Sequence, residues 1–173
     1  MSSHSTAIFG KKENRKEIAN ICMMHKDVYV AQTTCAHPNH FYKAVMEANQ
    51  YPGPAIVNVF TTCQPEHGVA DNMAEHQAKL AADSRSFPVF IYDPRKGSRF
   101  RERLSLVGNP NVKEDWYVNP KTKEAVTFID FARSEGRFSK HFDKDGNPSE
   151  TLLHAKQDRL ENWRLLQELA GVR

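Results

Sequence analysis

Two copies of a Thr-Thr-Cys segment carry the residues of this sequence that could do chemistry. Thr33-Thr34-Cys35 follows one short apolar run, and Thr61-Thr62-Cys63 follows the next. Each copy has a histidine a few residues further on, at His37 and His67. Hydroxyls and backbone amides can hold phosphate or sulfide, and a cysteine thiolate can bind a metal. The pair of segments therefore indicates a ligand-binding site formed by the chain just after two neighbouring strands.

The residues alone leave three interpretations of these cysteines open. In the first, they are small, half-buried side chains that pack at strand ends. In the second, they form a zinc site, although the spacing matches no zinc signature; its ligands would come from Cys35, His37 or His40, Cys63 and His67. In the third, one cysteine contributes to an iron–sulfur cluster whose other ligands lie elsewhere. Such clusters usually need four thiolates, and the sequence has 3 cysteines.

Strand and helix signals alternate before residue 94 and predict how these segments are positioned. Short apolar strands are predicted at 27–32, 55–60 and 88–92, and helices at about 12–24, 38–48 and 69–84. Apolar strands joined by helical crossovers predict a parallel sheet covered on both faces. We therefore predict an α/β fold with a Rossmann-like parallel half-sheet. Ligands bind at the carboxyl edge of such sheets, and both Thr-Thr-Cys segments follow strand ends.

Apolar spacing also predicts which helical side chains face the core. The predicted inward residues are Ile18, Ile21 and Cys22, then Phe41, Val45 and Ala48, then Met73, Gln77, Leu80 and Ala81, and finally Leu153, Leu160, Trp163 and Leu166. The last set belongs to a C-terminal helix. Its start is predicted at Asn147 as N-cap, Pro148 at the first helical position and Glu150 at the third.

The charge pattern predicts three regions along the chain. Residues 1–94 form the α/β unit, 95–148 an irregular, extended basic arm, and 149–173 the terminal helix. Of the overall net charge of +3, residues 94–144 contribute +5, from 12 basic and 7 acidic side chains. Apolar clusters at Trp116-Tyr117 and at 128–131 predict that the arm packs against other structure. No nucleic-acid motif accompanies the basic residues, so we expect no nucleic-acid partner.

The composition is that of an ordinary globular chain, with 39% hydrophobic and 26% charged residues. No apolar run reaches the roughly 18 residues that a membrane span requires, and the N-terminus has no signal-peptide pattern. Three cysteines at irregular spacing form no disulfide framework. We therefore expect a cytoplasmic protein with no membrane partner.

Four motifs in a fixed order resemble a known family. They are Val28-Tyr29-Val30-Ala31, Tyr51-Pro52-Gly53-Pro54-Ala55, Thr62-Cys63 with His67-Gly68, and Tyr92-Asp93-Pro94-Arg95. Together they resemble the last part of the thiamine-diphosphate domain of pyruvate:ferredoxin (flavodoxin) oxidoreductases, in the 2-oxoacid:ferredoxin oxidoreductase family. The resemblance runs from about Gly10 to Arg95, and residues 131–138 weakly resemble that family's C-terminal extension.

The resemblance implies a chemistry and a role for one residue. These enzymes decarboxylate a 2-oxoacid, such as pyruvate, on thiamine diphosphate and magnesium. They pass single electrons through iron–sulfur clusters to ferredoxin or flavodoxin, and coenzyme A takes up the acyl group. Cys63 stands where the family has a ligand of the cluster nearest the thiamine, so the resemblance implies Cys63 as a metal ligand. Cys22 and Cys35 have no such counterpart.

Two departures from the family pattern shape the prediction. Four residues, Gln64 to His67, separate Cys63 from Gly68 where the family usually has three. The Gly-Asp-Gly motif that holds magnesium and diphosphate is missing, and Asp145-Gly146-Asn147 comes too near the chain end to replace it. We therefore predict a fragment, split subunit or relic of the enzyme, inactive alone, whose partners are the remaining subunit or domains. The alternative is a non-catalytic interaction module that docks through the basic arm and final helix.

Overall fold

The fold, seen in a computed structural model that describes residues 14–173, is a mixed α/β unit with a long C-terminal helix. The helices are α1 (Ile18–Met23), α2 (Pro38–Gln50), α3 (Gln64–His67), α4 (Ala74–Asp83), α5 (Phe100–Arg103), α6 (Phe128–Arg133) and α7 (Glu150–Leu169). The strands are β1 (Tyr29–Thr34), β2 (Ala55–Phe60), β3 (Phe90–Tyr92), β4 (Leu104–Ser105), β5 (Tyr117–Val118) and β6 (Ala125–Val126). Short 3-10 turns lie at Asp71–Met73, Pro94–Lys96 and Gly136–His141.

The main sheet has four strands in the order β2-β1-β3-β4. β1 and β2 are parallel, with Thr34 opposite Phe60, which confirms the predicted parallel pair. The parallel direction predicted for the third strand is wrong, because β3 runs antiparallel to β1 with Phe90 opposite Gln32. The chain between β2 and β3 makes no crossover. It leaves β2 at the carboxyl edge and returns to that edge, where the Phe87 ring lies 5.5 Å from the Phe60 ring.

The helix faces nearest the sheet are built from alanines, which corrects part of the predicted burial. Ala19 in α1, Ala44 in α2 and Ala78 in α4 are each at most 1% exposed. In α1 the buried face is formed by Ala19, Cys22 and Met23, so Ile18 and Ile21 turn away from it. Ile18 and Ile21, predicted to face inward, are accordingly 54% and 50% exposed. Residues 12 and 13 of the predicted first helix lie outside the described residues.

The other predicted inward residues divide between core and surface. Gln77, Ala81, Trp163 and Leu166 are buried as predicted, together with Cys22. The residues that the structure instead leaves at the surface are Phe41, Val45, Met73 and Leu153. In α7 the buried leucine is Leu152, one residue before the predicted Leu153, because Leu152 shares a helix face with the buried Ala155, Trp163 and Leu166.

Residues 95–148 pack against the rest of the described chain, as their apolar clusters predict. Leu104 and Leu106 join a core cluster around Trp163, and Phe128, Phe131 and Phe138 join a second cluster beneath α7. The boundaries at 94 and 148 remain predictions from composition and charge. None of the helices described between residues 14 and 173 has both the length and the apolar character needed to cross a membrane.

The start of α7 differs from the predicted one. Ser149 is the N-cap, and its hydroxyl accepts a hydrogen bond from the Leu152 amide at 3.4 Å. Asn147 instead belongs to a preceding turn, in which the Asp143 carboxylate accepts the amides of Asp145 and Asn147 at 2.9 and 2.8 Å. This turn occupies the Asp145-Gly146-Asn147 segment.

Candidate metal-ligand loop

Both Thr-Thr-Cys segments leave the sheet at the same edge, as predicted. Because β1 and β2 are parallel and Thr34 pairs with Phe60, Cys35 and Cys63 follow the carboxyl ends of neighbouring strands. Both cysteines are exposed, whereas Cys22 is buried. The thiol of Cys63 is therefore accessible at the edge of the sheet where ligands bind in open α/β folds.

The segment 61–68, which we call the cysteine loop, forms a single helical turn after Cys63. The Cys63 carbonyl accepts a hydrogen bond from the His67 amide at 2.8 Å, and the Gln64 carbonyl accepts one from the Val69 amide at 3.0 Å. The four residues between Cys63 and Gly68 thus complete the turn α3. Gly68 ends it in the left-handed region, at φ 64°, which favours glycine.

Two glycines dock the cysteine loop onto the C-terminal part of the chain. The Gly68 carbonyl accepts a hydrogen bond from the Gly136 amide at 3.2 Å. A β-carbon added at Gly68 would lie 2.9 Å from the Gly136 α-carbon, closer than side chains normally approach backbone. The docking therefore requires glycine at position 68 for both conformation and space.

A buried polar cluster holds the loop at a second point. The side chain of Glu135, 1% exposed, accepts a hydrogen bond from the Gln77 amide at 3.0 Å and pairs with the Arg137 guanidinium. The His67 ring nitrogen Nδ1 lies 3.5 Å from a Glu135 oxygen, which ties α3 to this carboxylate. Ser134 donates to the Gln77 carbonyl oxygen at 2.9 Å. Burial raises the pKa of Glu135, and the nearby Arg137 opposes part of that rise.

The structure does not assemble the zinc site that the residue types allowed. Across residues 14–173, no three His, Cys, Asp or Glu side chains are grouped so that they could hold a metal ion. The histidine rings have other neighbours: His37 contacts the Thr34 hydroxyl at 3.1 Å and His40 the Thr33 hydroxyl at 2.9 Å. A zinc centre built from this chain alone is therefore not supported.

The histidines beside β1 are held neutral by their surroundings. Burial, with smaller contributions from the nearby His37 and Lys43, lowers the pKa of His40 to about 4. Burial also lowers the pKa of His37. The ring of His40 contacts a buried strand residue through its hydrogen bond with Thr33, so protonation would place a charge against the sheet.

The stability of the protein is expected to fall as the pH drops from about 6.5 to 4. In this window the unfolded chain takes up a proton at position 40 that the folded chain does not, so acid favours unfolding. We expect His40 to account for about 2 kcal/mol of this loss, allowing for its partial exposure. Urea unfolding across this range should show a flatter profile for His40→Gln. The same change at the exposed His76 should leave the slope as it is, and equal slopes for both variants would contradict the assignment.

The cysteine loop suits one ligand bond to a metal cluster but not a complete site. Cys63 offers one exposed thiol, and the neighbouring Thr62 hydroxyl is buried without a hydrogen-bond partner among the described residues. Thiamine diphosphate does not fit, because the sequence has no Gly-Asp-Gly motif and Asp145-Gly146-Asn147 is engaged in the turn before α7.

These features define a class of protein: an α/β half-sheet with an exposed cysteine on a loop at its carboxyl edge. No family model matches the sequence. Over 173 residues, 99% of this chain, it is 31% identical to a pyruvate-flavodoxin oxidoreductase of Rhodospirillum rubrum, of which it covers 13%. It is 32% identical over 102 residues, 58% of the chain, to a probable pyruvate-flavodoxin oxidoreductase of Escherichia coli, of which it covers 9%. It is 27% identical over 164 residues, 95% of the chain, to the ketoisovalerate oxidoreductase subunit VorB of Pyrococcus abyssi, of which it covers 45%.

Over most of the chain the homologues, at modest identity, are of the 2-oxoacid:ferredoxin oxidoreductase family, which confirms the resemblance drawn from the sequence motifs. Its homologues are oxidoreductases or subunits of them. The chain spans less than half the length of each relative named above.

Proposed function

We propose that this chain is one component of a thiamine-dependent 2-oxoacid:ferredoxin oxidoreductase and that Cys63 supplies one ligand of an iron–sulfur cluster. The observation that carries the proposal is the exposed Cys63 thiol on a docked loop at the carboxyl edge of β1 and β2. Sequence similarity to such enzymes over 99% of the chain supports the same assignment.

In this proposal the chain positions one thiolate rather than performing the chemistry alone. The cluster supplies single-electron steps between the thiamine and a ferredoxin or flavodoxin. The helical turn α3 and the Gly68–Gly136 contact fix the direction in which Cys63 leaves the sheet. Thiamine diphosphate, magnesium, the other cluster ligands, coenzyme A and the 2-oxoacid would be bound by the remaining subunit or domains. The chain alone would be inactive, and a reducing cytoplasm would keep Cys63 available.

Replacing Cys63 is expected to remove cluster from the assembled enzyme. The chain would be co-expressed without oxygen with the polypeptide encoded beside it, the expected source of the missing thiamine domain. Because the cluster nearest the thiamine would lose one of its four thiolates, Cys63→Ala should lower iron and sulfide content by about one cluster and abolish 2-oxoacid-dependent dye reduction. Cys35→Ala, a change of the other exposed edge cysteine, is the matched control and should keep both.

Two outcomes would count against the proposal. Full cluster content in the Cys63→Ala complex would remove Cys63 from the ligand set. A stable complex with neither cluster nor thiamine-dependent activity would favour a non-catalytic interaction module.

A further inference from the structure

Within residues 14–173, the outer backbone edge of strand β2 has no strand paired with it. β2 pairs only with β1 in the described part of the chain, and it forms one side of the sheet. The Tyr29 amide donates to the Pro54 carbonyl at 3.0 Å, so the backbone of Pro54 faces β1. Backbone groups alternate along a strand, so Ile56 and Asn58 also face β1. The amides and carbonyls of Val57 and Val59 therefore point away from the sheet.

β2 lacks the features that protect exposed sheet edges. Its sequence, Ala55 to Phe60, contains no charge and no proline, and its six residues are long enough to pair with another strand. The opposite edge differs: β4 has two residues, of which Ser105 is exposed, and it follows Arg103. Natural sheets protect edges with short strands and charged residues. Within residues 14–173, the β2 edge of the main sheet is therefore the one that neither a short strand nor a charged residue protects.

A row of side-chain amides crosses the sheet and ends at the same edge. The Gln32 amide donates to the Pro88 carbonyl at 2.8 Å, and the Asn58 amide donates to the Gln32 carbonyl oxygen at 2.9 Å. Asparagine is unfavourable in strands, which makes its place in β2 informative. The Asn58 carbonyl oxygen has no hydrogen-bond donor among the described residues, so it can accept one from a side chain on an added strand.

We propose that the β2 edge is the joint at which this chain completes its sheet with a strand of the polypeptide carrying the rest of the thiamine domain. The proposal rests on the proposed function for the identity of that partner. More than half of each relative's length has no counterpart here, since the chain covers at most 45% of the relatives compared. Strand addition forms main-chain hydrogen bonds with Val57 and Val59, and Asn58 favours a donor side chain opposite it.

Amide hydrogen exchange tests the joint directly on the full chain. Without partner, the amides of Val57 and Val59 should exchange at least about tenfold faster than those of Ile56 and Asn58, which β1 already binds. In the complex with the neighbouring polypeptide, all four should exchange slowly. Slow exchange of Val57 and Val59 in the chain alone would show that the edge is already filled and would overturn the proposal.

A proline variant provides the functional test. Val57→Pro removes an outward amide while leaving the bonds to β1 in place, because proline is tolerated on edge strands. It should weaken partner binding at least tenfold. Val57→Ala is the matched control, because it shortens the side chain but keeps the amide, and it should bind nearly as well as the unmodified chain. Slow exchange of Ile56 and Asn58 in both variants would verify that the sheet remains folded.

The outcomes separate this joint from the proposed enzyme function. A complex that forms a Cys63-dependent cluster while Val57 and Val59 still exchange rapidly would overturn the joint alone. A complex that protects both amides but holds no cluster would support the joint and contradict the enzyme assignment. Equal partner binding by Val57→Pro and Val57→Ala would also overturn the joint.

Discussion

Replacing Arg85 with alanine is expected to destabilise the folded chain by about 3–5 kcal/mol. Arg85 is fully buried after α4, and its guanidinium lies 4.1 Å from the centre of the Trp163 ring. It donates to the carbonyls of Pro110 and Asn111 at 2.7 and 3.2 Å. Burial lowers the pKa of Arg85 to about 10, so the side chain stays charged at neutral pH. It therefore joins the end of α4 to the segment 110–115 and to α7.

The expected cost has two sources. Alanine would leave buried carbonyl oxygens without donors, and it would open a cavity beneath Trp163. Lysine at position 85 should restore little of the loss, because an ammonium cannot stack on the ring and fork to two carbonyls as a guanidinium does. Equilibrium unfolding in urea measures both variants. Arg99→Ala, at an exposed arginine, should change stability by less than about 0.5 kcal/mol. A similarly small effect at Arg85 would contradict the role given to this contact.

The sequence predicted the parts of the fold that depend on local patterns. Short apolar runs located the strands, and Pro38 marked the first residue of α2. The direction of β3 was not predictable in this way, because a helix between two strands normally indicates a crossover. Whether α4 returns the chain to the far edge depends on contacts such as Phe60 with Phe87, which join residues far apart in sequence. The same holds for Arg85, whose partners lie 25 and more residues away.

The candidate site likewise has a part that the sequence predicted and a part that it did not. The shared edge of the two Thr-Thr-Cys segments followed from strand order and required only that β1 and β2 be parallel. The anchor of the cysteine loop had no local signal, since Glu135 lies 58 residues beyond Gln77 in sequence. A pair of glycines, Gly68 and Gly136, was visible in the sequence, but nothing there indicated that they touch. The docking of the cysteine loop onto the C-terminal segment was therefore not predictable from the sequence.

Loss of the Glu135 carboxylate is expected to release the cysteine loop and to cost about 3 kcal/mol of folding stability. In Glu135→Ala, the Arg137 guanidinium and the Gln77 amide lose their buried partner, and His67 loses its contact with the segment that follows α6. The Glu135→Gln variant keeps a carbonyl oxygen at nearly the same place. The two oxygens of Glu135 accept from the Gln77 amide and the Arg137 guanidinium, and glutamine replaces one of them with an NH2 group that cannot accept, so we expect it to retain only part of the stability.

Hydrogen exchange distinguishes release of the loop from general destabilisation. The amides of His67 and Gly136 report the helical turn and its docking, since they bind the carbonyls of Cys63 and Gly68. In Glu135→Ala both should exchange faster by a larger factor than the amides of β1, which lie in the core of the sheet. Glu75→Ala, at an exposed glutamate in the first turn of α4, should leave them unchanged. An equal increase in the exchange rates of β1 and of the loop would instead show that Glu135 stabilises the whole fold rather than the loop. A selective increase would make this carboxylate the side chain that sets how firmly Cys63 is held at the edge of the sheet.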